Sequence, residues 1–155
     1  MVEQAIALAI RALKEVEVRR KSEKLALSES AAELGVGDPT ALRFAHRLVF
    51  EVLKRLSLLD ELIRSSSGGH LPAGLRADVR AFLRIFAYRA VLEGAGRSEL
   101  AKMAEVGRGV LGAGALRKAE RALGRLTNLT VDAVSYTHLR AHETEADLVC
   151  RLLLE

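Results

Sequence analysis

Apolar residues recur three and four positions apart through most of the chain. Val2, Ala5, Ile6, Ala9, Ile10, Leu13 and Val16 make one such stripe, the spacing that lines one face of a helix. It fades at Arg19-Arg20-Lys21, where cations suit the negative end of a helix dipole. Ser22 is placed to cap a second helix, Glu23 to Leu34, which Gly35 and Gly37 close. The best-marked start is Asp38-Pro39. There the carboxylate can accept a free backbone N–H, and proline at the first helical position loses no hydrogen bond. Leu42, Ala45, Leu48, Val49, Val52 and Leu56 are the expected buried face. A bend is expected at Ser57, then another buried turn with Leu58, Leu59, Leu62 and Ile63. Ser65-Ser66-Ser67-Gly68-Gly69 reads as a loop. Pro72 is expected to open the central helix, whose wide apolar face runs from Leu75 through Val79, Phe82, Leu83, Phe86 and Ala87 to Val91. Gly94-Ala95-Gly96 ends it, and helices over 98–111 and 115–126 follow, parted by Gly112 and Gly114. About seven helices and no strand define an all-α bundle.

The period weakens over residues 127–133, TNLTVDA, which read as a linker. Beyond it, VSYTHLRAHET (134–144) and DLVCRLLLE (147–155) resemble the back-translated halves of a transposon-based sequencing adapter. Glu145 and Ala146 lie where a sample barcode would be read through. The expected organisation is a helical domain at 1–126, a linker at 127–133 and an adapter-derived tail at 134–155, which belongs outside any fold argument. The lone Cys150 and Tyr136 leave with that tail. So does the pair His138 and His142, which has helical metal-ligand spacing but no third ligand nearby.

Removing the tail sharpens the charge. The whole chain has 24 basic and 20 acidic side chains. Arg140, Arg151, Glu143, Glu145, Asp147 and Glu155 belong to the tail, so residues 1–133 hold 22 basic and 16 acidic, formally +6. Such a balance concentrates anionic partners and favours nucleic acid. No apolar run approaches the length of a bilayer span. Glu3 before the first apolar run, and Arg11 and Lys14 within it, do not follow the order of a signal peptide. With no cysteine before the tail, a reducing cytoplasm is the expected location.

Several strings resemble the NusB-like domain, a helical domain found as free transcription factors and at the N-terminus of RsmB/Sun-type RNA cytosine-5 methyltransferases. Leu48-Val49-Phe50-Glu51-Val52-Leu53-Lys54 is similar to the family's LVYGVLR, with Leu59-Asp60-Glu61-Leu62-Ile63 just after. Residues 79–91 are similar to VRxxLRLGAYQLLF, and 119–126 fall where the family often reads VNAVLRRL. Glu51 stands for the usual glycine, Phe86 for a small residue and Glu120 for asparagine. The spacing of residues 41–63 resembles the methyltransferase-attached, archaeal-type branch most. The resemblance implies a bundle of about seven helices in two small subdomains, RNA as the partner (rRNA above all), and a catalytic domain following the linker. In that branch the catalytic domain binds S-adenosylmethionine; no position here matches its glycine-rich loop or its catalytic cysteines. The alternative within the family is a free-standing antitermination factor acting with a ribosomal protein.

Three basic groups are candidates for RNA contact. Arg11, Lys14, Arg19, Arg20, Lys21 and Lys24 cluster around the end of the first helix, and free NusB proteins resemble this in using an arginine-rich first helix on RNA. Against that, Glu15, Glu17 and Glu23 stand among them. Arg43 and Arg47 lie one turn apart with His46 beside them and Lys54 and Arg55 further on, so a phosphate could bridge the pair. Arg76, Arg80 and Arg84, and again Arg117, Arg121 and Arg125, form two i, i+4 ridges. Those ridges read first as exposed faces balanced by Asp78 and Glu120. Phe44, Phe50, Phe82, Phe86 and Tyr88 lie in or beside apolar stripes and are expected in the core rather than under bases.

Enzyme signatures are missing from the string. Gly107-x-Gly109 and Gly112-x-Gly114 follow no strand, so neither is a phosphate loop. His70 falls in the expected loop, and Asp60-Glu61 has no evident apolar pocket. The expectation is a non-catalytic chain with no metal or cofactor site of its own. A plain helical protein-interaction module is the competing class.

Overall fold

The computed structural model describes residues 2–68 and 74–139, the side chains of 130–139 excepted. In order come α1 (Val2–Arg19), α2 (Glu23–Leu34), α3 (Pro39–Lys54), α4 (Leu56–Ser66) and α5 (Ala77–Ala87), which runs on as a π turn over Tyr88–Leu92. Then follow α6 (Arg97–Leu111), the four-residue α7 (Ala113–Leu116), a 3₁₀ turn (Arg117–Ala119) and α8 (Glu120–Leu139). Seven of these helices have eleven residues or more, and no strand occurs among the described residues.

The helix starts obey local chemistry. The Ser22 hydroxyl accepts the Leu25 N–H at 3.2 Å, and the Asp38 carboxylate accepts the Ala41 N–H at 3.0 Å. Pro39 follows at the first position of α3. Gly35 ends α2 in the left-handed region at φ 69°, which a side chain would disfavour.

The expected central helix is central. α5 touches α1, α3, α4, α6 and α8, and its Phe82, Leu83, Ile85 and Phe86 are all fully buried. Buried side chains from Ala5 in α1 to Leu126 in α8 join in one continuous cluster. At its closest approach, α6 lays Gly107 on the Phe82 ring: a Cβ added there would sit 2.4 Å from Cζ.

Five local expectations need correction. The break after α3 falls at Arg55 (φ −128°, ψ 29°), not at Ser57, and the Arg55 guanidinium turns back onto the Glu51 carboxylate. Ser65 and Ser66 are helical, because Ser66 is buried on the core side of α4. α8 continues through 127–133, where a linker is expected; this stretch contains neither proline nor glycine, and Leu129 still packs against the core. The helix after α5 does not simply end at glycine. Glu93 N–H bonds the Tyr88 carbonyl at 3.0 Å, the i→i+5 step of a π turn. The central helix also starts later than expected: α5 begins at Ala77 after an extended Arg76 (φ −66°, ψ 154°), so Leu75 precedes it, while Pro72, His70 and residues 140–155 lie outside the described residues. No helix among the described residues is long and apolar enough to cross a membrane.

Candidate nucleic-acid interface

A phosphate is held by cations that are not already held by carboxylates. Ion pairing therefore sorts the candidates.

Around the end of α1, three of the six cations are ion-paired within the fold. Arg11 pairs with Glu33 of α2. Arg19 pairs with Glu15 at 3.4 Å, while Lys21 lies between Glu15 (3.7 Å) and Glu29 (2.7 Å). Lys14, Arg20 and Lys24 are exposed; Arg20 and Lys24 pair with no carboxylate among the described residues, while Lys14 lies close enough to Asp78 to help lower its carboxyl. Arg20 takes φ 55°, so the turn between α1 and α2 holds it in a backbone conformation uncommon outside glycine.

The α3 group divides. Arg47 reaches Glu93 at 3.2 Å, tying α3 to the π turn. Glu93 also accepts from Arg89 at 2.6 Å and from the Tyr88 hydroxyl at 2.9 Å. Burial, together with that carboxylate, raises the Tyr88 phenol well above its ordinary value. Arg43 donates only to the Thr40 hydroxyl, at 3.5 Å, and stays open to an anion. The two arginines thus share a face but not a condition.

The two ridges behave oppositely. Arg76 forks onto Asp78 at 3.0 and 2.7 Å. Arg80 pairs with Glu17 of α1, and Arg84 joins Glu17 (2.9 Å) to Asp60 of α4 (2.8 Å). Glu17 is held below the usual carboxylate range by Arg80 first, against the opposing effect of burial, and by Arg84 after it. Asp78 is lowered in the same way by Arg76. Arg80 and Arg84 therefore brace α5 to α1 and α4, while Arg76 stays exposed and is balanced by Asp78 of its own helix, as the spacing suggests. Sequence spacing missed the braces because Glu17 and Asp60 are distant in the chain.

On α8 the balancing acid is removed instead. Arg108 of α6 takes Glu120, with contacts from 2.9 to 3.3 Å. Arg117 and Lys118 of the 3₁₀ turn that leads into α8, and Arg121 and Arg125 of α8 itself, are exposed, and none pairs with a carboxylate among the described residues. From Arg117 to Arg125 the strip is about 12 Å long at 1.5 Å per residue. Arg97 extends it, donating at 3.3 Å to Asn128, three residues past Arg125 and so on the same side of the helix.

The aromatics separate too. Phe82 and Phe86 are buried as expected, and Tyr88 nearly so. The guanidinium groups of Arg47 (5.3 Å) and Arg89 (5.6 Å) both lie over the Phe44 ring. Phe50 departs from expectation: it is 41% exposed, on the solvent side of α3. It borders an apolar groove of about 810 Å³ between α2 and α3, floored by Leu8, Leu27, Ala31 and Leu42.

Compared with family models, curated proteins and solved structures, the chain matches none of them.

Proposed function

We propose that this chain is a non-catalytic RNA-binding domain of the NusB-like kind, standing at the N-terminus of an S-adenosylmethionine-dependent rRNA cytosine-5 methyltransferase and working in the cytoplasm. The observation that supports RNA binding most is the α8 strip, four adjacent cations without a carboxylate partner among the described residues. Phosphate contact of this kind binds strongly and reads little sequence. Arg43, Arg20 and Lys24 add further open cations on other faces.

The test is filter binding of single-stranded RNA at about 50 and 200 mM salt. The triple variant Arg117→Glu, Arg121→Glu, Arg125→Glu is expected to bind roughly tenfold or more weakly at the lower salt. Reversing Arg19, Arg20 and Lys21 together should do less, since Arg19 and Lys21 already face acids. Equal affinity of wild type and the α8 variant would remove the strip from the account. The α2–α3 groove favours a second reading, a helical protein-interaction module. That reading expects no salt-sensitive RNA binding at all.

A further inference from the structure

We propose that the outward face of α3 is a stacking site for unpaired RNA bases, with Phe50 and His46 beneath the bases and Arg43 beside the flanking phosphate. This rests on the RNA-binding reading and adds to it a preference for single strands over duplex.

The reasoning starts from a misplaced ring. Phenylalanine in a helical bundle is ordinarily buried, and α3 buries Ala45, Leu48, Val49 and Val52 on its other side. Phe50 is instead 41% exposed. The exposed His46 ring lies one turn before it, nearly parallel (13°), with centroids 6.4 Å apart. Two flat rings therefore face solvent together on one helical turn. Cations continue the same face: Arg43 one turn before His46, and Lys54 one turn after Phe50, with its ammonium over the Phe50 ring at 5.0 Å from the centroid, where a stacked base would replace it. The acid nearest this face, Glu51, pairs with Arg55 and also with Lys54 at 3.9 Å, which leaves Arg43 as the cation of this face without a carboxylate partner.

Flat aromatic surface alternating with cations is the chemistry that holds single-stranded nucleic acid: bases stack, and phosphates meet the charges. A duplex keeps its bases stacked on one another and cannot use the rings. The neighbouring groove supplies apolar wall from Leu27, Ala31 and Leu42 against which a displaced base can rest. An amphipathic peptide would use that wall but has no counterpart for the parallel rings, so the base is the better match.

The chain has no tryptophan, which gives a direct readout. The variant Phe50→Trp supplies a single indole on this face, and oligouridylate and oligoadenylate are the probes, with a duplex RNA as control. Quenching of the indole by single-stranded probes, weak quenching by duplex, and roughly tenfold weaker single-strand binding by Phe50→Ala are the expected results. Circular dichroism establishes that both variants stay folded. If single-stranded RNA binds without quenching, and Phe50→Ala binds as wild type does, the stacking site is wrong while the α8 strip can still stand. If wild type binds no RNA, both fall, and the groove is left to a protein partner.

Discussion

Two glycines on one helix show how much a single residue's surroundings decide. Gly107 and Gly109 both interrupt α6, and alanine in a helix is ordinarily better than glycine by about 1 kcal/mol. At Gly109 nothing lies within 4 Å of an added Cβ, so Gly109→Ala should stabilise by roughly 0.5–1 kcal/mol. At Gly107 the Cβ would meet the Phe82 ring at 2.4 and 2.8 Å, and that ring is fully buried. Gly107→Ala should therefore destabilise by about 1–3 kcal/mol. Urea midpoints moving in opposite directions would bear this out; both moving upward would refute the close packing. Nothing in the string GRG distinguishes the two positions, because the ring that separates them comes from α5, 25 residues earlier. Glu17 makes a similar point for charge. Its carboxyl is lowered in the folded state by Arg80 and Arg84, so it stabilises the fold when ionised. That contribution is complete above about pH 5 and is lost as pH falls through the lowered value. Glu17→Gln should reduce stability at neutral pH and flatten the fall in melting temperature on acidification. An unchanged acid limb would mean that the braces contribute nothing measurable.

At the scale of elements, the starts of α2 and α3 are legible, while the start of α5 and the helix ends are less so. Ser22, Asp38 and Pro39 announce α2 and α3 because their side chains satisfy backbone donors within a few residues. Asp38→Ala should lower stability by about 1 kcal/mol through loss of that cap, read as a fall in the thermal midpoint with the helical spectrum kept. No change would mean that water replaces the carboxylate at no cost. The break at Arg55, the buried Ser66 and the π turn at Tyr88 depend on what each segment packs against, and no local motif marks them. The onward run of α8 past Leu126 was missed for a different reason. Thr127, Asn128 and Thr130 weaken the apolar period without breaking a helix, and Leu129 keeps one contact with the core.

For the molecule as a whole, the excess of cations was visible in the composition but its distribution was not. The α1 cluster and the α5 ridge look as basic in the sequence as the α8 strip does. Folding sets Glu15, Glu29 and Glu33 against the first, and Glu17, Asp60 and Asp78 against the second. It turns Glu120 away from the third, toward Arg108. What remains for an anionic partner is a run of four cations at 117–125, with Arg20, Lys24 and Arg43 on other faces. The most direct measurement is the affinity of the chain for single-stranded RNA across a range of salt concentrations. Four phosphates held at the α8 strip predict a logarithmic slope near −3, at about 0.7 per phosphate on a single strand. Reversal of Arg117, Arg121 and Arg125 should remove most of that slope. A flat dependence on salt, or no association at the lowest concentration, would contradict the account.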